Sequence, residues 1–248
     1  MIRIKSASEV ETMRESARLV SRTLDELSGH VRPGVSTLEL DRLAMEFIRK
    51  NGGTPSFLGY RGYRHTICAS VNEEVVHGIP GRRTLKEGDI ISVDVGVLMN
   101  GFHGDSARTF TVGRVSSEAD NLLAVTRESL VKGIEQVKAG NRLGDVSNAI
   151  QEHVEGHGLS IVRSLVGHGI GRDLHEDPQI PNFGQPGSGV VLKPGMVFAI
   201  EPMVNIGGYE VETLKDGWTV ISSDRSLAAH FEHTVAVTEN GPDILSLS

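Results

Sequence analysis

Cysteine is all but missing from the 248-residue chain: Cys68 stands alone, so no internal disulfide can form, and a lone thiol fits a reducing compartment. Long apolar runs are missing as well. No stretch reaches the roughly 18 consecutive apolar residues of a membrane-crossing helix, and Met1-Ile-Arg-Ile-Lys-Ser6 lacks the apolar core of a signal peptide. A basic excess is the third absence. Lys and Arg number 25 against 32 Asp and Glu, a formal charge of −7, without the positive footprint that nucleic-acid readout requires. No low-complexity tract or linker divides the chain, so a single domain over 1–248 is the economical organisation. These exclusions leave a cytoplasmic globular protein, 38% hydrophobic and 23% charged, with no nucleic-acid readout and no membrane attachment.

What is present is organised around Ile91–Phe110. Apolar, β-branched runs flank Asn100-Gly101, the dipeptide best suited to a two-residue type I′ hairpin. With those two residues central, Met99 faces Phe102, Gly96 faces Asp105 and Asp94 faces Ala107. Asp94 and Asp105 then form a diagonal pair on one face, roughly 7–8 Å apart at the backbone and closer at the carboxylates. Two carboxylates in a mostly buried hairpin repel and resist ionisation unless something positive lies between them. A divalent cation answers that requirement; two solvated edge-strand aspartates are the alternative at this point.

Taken in order, the chain opens with a capping box, Ser6-Ala-Ser-Glu9, followed by Val10, Met13, Ala17, Val20, Leu24 and Leu27 at helical spacing. Ser36-Thr-Leu-Glu39 opens a second helix, closed by Gly52-Gly53. Residues 54–80 read as loop and short strand, ending at His77-Gly-Ile-Pro80. The hairpin follows, then helices over about 117–138 and 144–157, a Gly- and Pro-rich stretch, and strands with turns over 196–237.

The second half echoes the first. Pro33-Gly34 before a helix ending at Gly52 matches Ala139-Gly140 before a helix ending at Gly158. Leu85-Lys-Glu-Gly-Asp-Ile-Ile-Ser-Val-Asp94 aligns without a gap on Leu192-Lys-Pro-Gly-Met-Val-Phe-Ala-Ile-Glu201, and His77-Gly-Ile echoes His168-Gly-Ile. Three matches in one order predict two pseudo-equivalent halves, about 1–115 and 116–248, each delivering one carboxylate at the end of the same turn-then-strand unit. Glu232 interrupts a further strand-like run, Ala229–Val237, where a solvated strand residue is the alternative to a ligand. Assembled, Asp94, Asp105, His168, Glu201 and Glu232 make an oxygen-rich set unlike a structural zinc site. It suits two hydrolytic divalent ions, Mn, Fe(II), Co or Zn.

At these residues the chain resembles the type I methionine aminopeptidases. The motifs are Ser92-Val-Asp-Val-Gly96, Gly104-Asp105, Gly167-His-Gly-Ile-Gly-Arg-Asp-Leu-His-Glu-Asp-Pro178, Ala199-Ile-Glu-Pro-Met203 and Phe231-Glu-His-Thr234. The resemblance implies an α+β pita-bread fold, two pseudo-symmetric halves with a central curved antiparallel sheet covered by helices. It also implies removal of the initiator methionine from nascent proteins and peptides with a small second residue. In that family's pattern Asp94 chelates one ion, His168 and Glu201 hold the other, and Asp105 and Glu232 bridge both. Glu201 also carries the proton as general base and acid, His175 stabilises the oxyanion and His77 bonds the scissile or following amide. Phe57, Tyr60, Tyr63, Cys68, Leu174 and Trp218 match the methionine pocket, with His77 and His175 beside them. A transient ribosome contact and a monomeric state are further implications. Read without the resemblance, His77 could end a strand, His175 could cap a turn, and Trp218, the tyrosines and Cys68 could be core. A prolidase- or creatinase-type enzyme and a metal-free binding module of the same fold are the rival readings; the short chain disfavours the first and the intact ligand set the second.

Overall fold

The computed structural model describes residues 1–247. Its elements are α1 (Ala7–Ser28), α2 (Thr37–Lys50), β1 (Thr54–Pro55), β2 (Ile67–Val71), β3 (Glu74–Val76), β4 (Ile90–Met99), β5 (Phe102–Thr111), α3 (Ser117–Glu135) and α4 (Leu143–Gly156). The remainder is all strand: β6 (Ser160–Ile161), β7 (Val166–Gly169), β8 (Glu176–Pro181), β9 (Val197–Ile200), β10 (Met203–Asn205), β11 (Val211–Thr213), β12 (Val220–Ser222), β13 (Ala228–His230), β14 (His233–Thr238) and β15 (Gly241–Ile244). This is an α+β chain whose paired strands are all antiparallel.

The capping box of α1 forms in both directions: Glu9 N–H donates to Ser6 Oγ at 3.3 Å and Ser6 N–H to Glu9 Oε2 at 2.9 Å. Half of the box expected at α2 forms. Ser36 Oγ accepts from Glu39 N–H at 3.2 Å, while the Glu39 side chain stays in solvent. Helix α3 stops at Glu135, short of the expected residue 138, because Gln136 and Val137 donate to carbonyls three residues back and tighten the chain toward Gly140 at φ 93°.

Of four buried apolar clusters, the two largest carry most of the fold. One packs Leu24, Leu40 and Ile48 of α1 and α2 on Val71, Ile91, Val93 and Val95. The other packs Leu122, Leu130, Val146 and Ile150 of α3 and α4 on Ile180, Phe198, Ile200 and Val235. Burial of these faces, at about 25 cal/mol per Å² of apolar surface, is the main stabilising term.

The strands fall into four hydrogen-bonded groups, of four, three, three and five strands, rather than one continuous ladder. The interruption at Pro202 is one cause, since proline has no N–H to continue β9 into β10. The four-strand group contains the β4–β5 hairpin and the five-strand group contains β9 and β14. They meet through Glu232 N–H donating to Ala107 O at 3.0 Å and through Thr234, whose Oγ1 accepts from Asp105 N–H at 3.0 Å and donates to Asp105 O at 2.7 Å.

Matching hydrogen bonds tie each helix start to its strand unit. Gly34 N–H donates to Leu85 O at 2.8 Å, and Gly140 N–H to Leu192 O at 3.0 Å; Leu85 N–H donates to Val35 O, and Leu192 N–H to Asn141 O, both at 2.8 Å. Gly88 and Gly195 turn the chain at φ 91° and 85° and donate to Val112 O and Val237 O. An alanine at either turn would be strained.

Candidate active site

The hairpin has the expected register. Met99 pairs with Phe102, Gly96 with Asp105 and Asp94 with Ala107, and Asn100 and Gly101 take φ 51° and 80°, the two positive values a type I′ turn demands. On the other side of β4, Cys68 lies opposite Asp94. Gly96 leaves room for the pocket wall: a Cβ there would stand 2.6 Å from the Phe57 ring.

His168 lies within β7, where the register against β8 shifts between His168 and Gly169. Its Nδ1 lies 2.9 Å from Gly169 O, so that nitrogen carries the proton and donates. Nε2 is then a free lone pair facing Glu201 Oε1 at 3.6 Å and Asp105 Oδ2 at 3.9 Å. Asp105, His168 and Glu232 offer ligand atoms that all lie within 4.8 Å of one another.

Asp94, Asp105, His168, Glu201 and Glu232 line one cavity of about 130 Å³ with His77, His175, Phe57, Tyr60, Tyr63, Cys68, Leu174 and Trp218. Every residue singled out in the sequence therefore reaches the same space. Arg61 also lines it and was not singled out; its φ of 49°, rare for a residue with a side chain, is visible only in the fold.

Burial raises the pKa of all four carboxyls. Asp94 is pushed up to about 7, and Asp105, Glu201 and Glu232 stand well above the ordinary range, burial first and mutual repulsion second in the last three. Burial lowers His168 to about 4 and holds His77 below its ordinary value. His175 presents an edge to solvent, yet the cleft wall, His168 and Arg61 depress it. Both catalytic candidates among the histidines are thus held in the neutral form at pH 7.

The aromatic wall is built of two sets of contacting rings. His175 lies between His168, with centroids 4.0 Å apart, and Tyr60, stacked at 5.2 Å. Trp218 meets Tyr63 edge-on at 5.0 Å and His77 at 6.5 Å. Tyr63 is pinned by donating from its hydroxyl to Ile67 O at 2.9 Å. Burial pushes the Cys68 thiol up, so it serves as an apolar sulfur surface rather than a nucleophile.

Asp94 Oδ1, Asp105 Oδ1 and Glu232 Oε1 are buried without a hydrogen-bond partner. Acceptors so placed are costly alone and suit hard or borderline divalent cations. The donor set therefore fits a metal centre.

The sequence profile of metallopeptidase family M24 matches residues 11–239. The chain is 56% identical over 247 residues to the methionine aminopeptidase of Clostridium perfringens, covering 100% of this chain and 99% of that one. It is 57% identical over 246 residues to methionine aminopeptidase 1 of Bacillus subtilis, with 99% of each covered. The structure of methionine aminopeptidase from Thermotoga maritima superposes with a TM-score of 0.98 at 50% identity over the whole of both chains. A prolidase from Pyrococcus furiosus gives a TM-score of 0.80 at 22% identity, covering 99% of this chain and 65% of that one, a likeness of fold alone. The architecture is the pita-bread fold, and the chain belongs to metallopeptidase family M24, on its type I methionine aminopeptidase branch.

Proposed function

We propose that this chain removes the initiator methionine from nascent proteins and peptides, preferring a small second residue, by metal-dependent hydrolysis of the first peptide bond. The observation that carries the reading is one cavity holding both four carboxyls, three of them with an unpartnered buried oxygen, and an apolar, sulfur-bearing aromatic wall. The full-length relatives named methionine aminopeptidase support the same substrate.

Asp94, Asp105, His168, Glu201 and Glu232 would hold two divalent ions, Mn, Fe(II), Co or Zn. Bound there, the ions supply an activated water and polarise the scissile carbonyl. Glu201, a buried carboxyl that lines the cavity, takes a proton from the attacking water and passes it to the leaving amine. His175 donates to the carbonyl oxygen as negative charge builds, and His77 to the scissile or following amide. Their depressed pKa values keep both as neutral donors. Phe57, Tyr60, Tyr63, Cys68, Leu174 and Trp218 receive the thioether, a soft group that packs well against aromatic edges.

The chain acts as a single catalytic domain, 1–248, of two pseudo-equivalent halves, about 1–115 and 116–248; the matching helix-to-strand hydrogen bonds support this division. It works in the cytoplasm as a monomer with a transient ribosome contact, in keeping with a substrate that is a nascent chain. No helix among the described residues is long and apolar enough to cross a membrane.

The test is release of methionine from Met-Ala-Ser by chelator-stripped protein, with Mn, Fe(II), Co or Zn restored separately under anaerobic conditions. Activity that returns with an ion and spares Ala-Pro substrates is the expected result. Folded protein inactive with every ion, or active on Ala-Pro alone, would overturn it.

A further inference from the structure

His230 ends β13 and is 2% exposed. Its Nε2 is buried without a hydrogen-bond partner. The acid it faces is Glu201, whose Oε2 stands 3.9 Å away. A buried ring nitrogen left unpaired is unfavourable, and natural cores seldom keep one without a use. The other oxygen of the same carboxyl, Oε1, faces His168 Nε2 at 3.6 Å. The two oxygens of Glu201 thus have different neighbours, one on the side of the metal ligands and one toward His230.

From this geometry we infer that His230 is a positioning residue for Glu201: its Nε2–H donates to Oε2, which turns Oε1 toward the ion and fixes the carboxyl that moves the proton. The inference rests on the assignment of Glu201 as ligand and proton carrier. Closing the gap to a hydrogen bond takes a shift of about 1 Å. Outer donors of this kind orient ligands and raise metal affinity. His230 does not line the cavity that the five assigned ligands share, so it acts through Glu201 rather than on the ion.

The strand does not need the imidazole. His230 N–H donates to Thr109 Oγ1 at 2.9 Å and Thr109 Oγ1 donates to His230 O at 2.8 Å, both through the main chain of residue 230. His230→Leu therefore removes the donor while keeping an apolar side chain in place, and His230→Gln returns an N–H of similar reach.

The experiment titrates Mn(II) into chelator-stripped wild type, His230→Leu and His230→Gln by calorimetry, alongside kcat and KM on Met-Ala-Ser. His230→Leu should lose about 10- to 100-fold in affinity for one ion, with kcat falling and KM held, and His230→Gln should recover most of both. Wild-type affinity in His230→Leu, or equal weakness in the two variants, would overturn the inference. Should His230→Leu fail to fold, His230→Gln against the shorter His230→Asn makes the same comparison, with affinity expected only in the longer amide. Calorimetry needs no peptide, so failure of the methionine reading would show separately, as normal ion uptake without peptide cleavage.

Discussion

The two turn-then-strand units, Leu85–Asp94 and Leu192–Glu201, begin alike and end differently. Each starts with a buried leucine bonded back to the entry of a helix and turns at a glycine with positive φ. The first runs on into a ten-residue strand and returns through Asn100-Gly101, bringing Asp105 beside Asp94 within one hairpin. The second is cut at Pro202; its chain crosses into another strand group through β10, passes through β11 and β12, returns to the β10 group as β13, and delivers Glu232 just before β14 pairs with β9. One arm of the site is therefore built by local register, the other by the packing of separate sheets. A hairpin can set two acids by itself, whereas Glu201 and Glu232 are positioned only when both cores are complete.

The severest way to break the non-local arm is at its acid. Glu201→Gln should keep the fold, by circular dichroism, and lose on the order of 10³- to 10⁴-fold in turnover, since it removes the proton carrier and a ligand charge. Wild-type turnover in defined metal would place the proton elsewhere. His77 belongs to neither arm, which sharpens the contrast. His77→Ala should lower kcat about 100-fold while bound metal, counted by elemental analysis, stays at the wild-type value; lost metal would put His77 among the ligands.

The local arm breaks by packing. A Cβ at Gly104 would lie 2.5 Å from Ala17 N in the backbone of α1. Gly104→Ala should therefore cost about 3 kcal/mol in denaturant unfolding, far more than Gly156→Ala, where a Cβ meets nothing within 4 Å. Equal costs would mean that α1 yields at that contact.

The smallest expected effect joins both arms. The four site carboxyls have folded pKa values raised above their unfolded ones, so the stability they contribute is full at low pH and is lost as pH rises through the folded values. His77 and His168 are depressed and cost stability only below pH of about 6.5, where the unfolded chain protonates. Metal-free protein should therefore lose stability as pH rises above about 6.5, by up to about 1.4 kcal/mol per pH unit for each carboxyl that is ionised in the unfolded chain and still protonated in the folded one; for Asp94 the loss ends near its folded value of about 7. Mn(II) should abolish the loss, and a melting temperature that rises with pH in the metal-free state would contradict it.

The legible parts of the fold share a physical character. Capping at Ser6 and Ser36, the type I′ turn and the Asp94–Asp105 register rest on interactions within a few residues, which the order of side chains dictates directly. The alignment of Leu85–Asp94 on Leu192–Glu201 exposed the second carboxylate for the same reason, because a turn and a strand repeat as one local unit. Errors fell at ends: α3 stops at Glu135 where tight turns outcompete propensity, and the Glu39 side chain prefers solvent to the cap.

Sequence by itself determined most of the elements, the paired acids of the hairpin, the family through motif likeness, and, with one cysteine, the absence of an internal disulfide. Tertiary structure alone decided that Glu232 is a buried site residue and not a solvated one, that Arg61 reaches the cavity, and that His230 faces Glu201. The physical reason is separation along the chain. Contacts such as Ala107 to Glu232 depend on how two sheets and two cores settle together, and no local propensity encodes that distance.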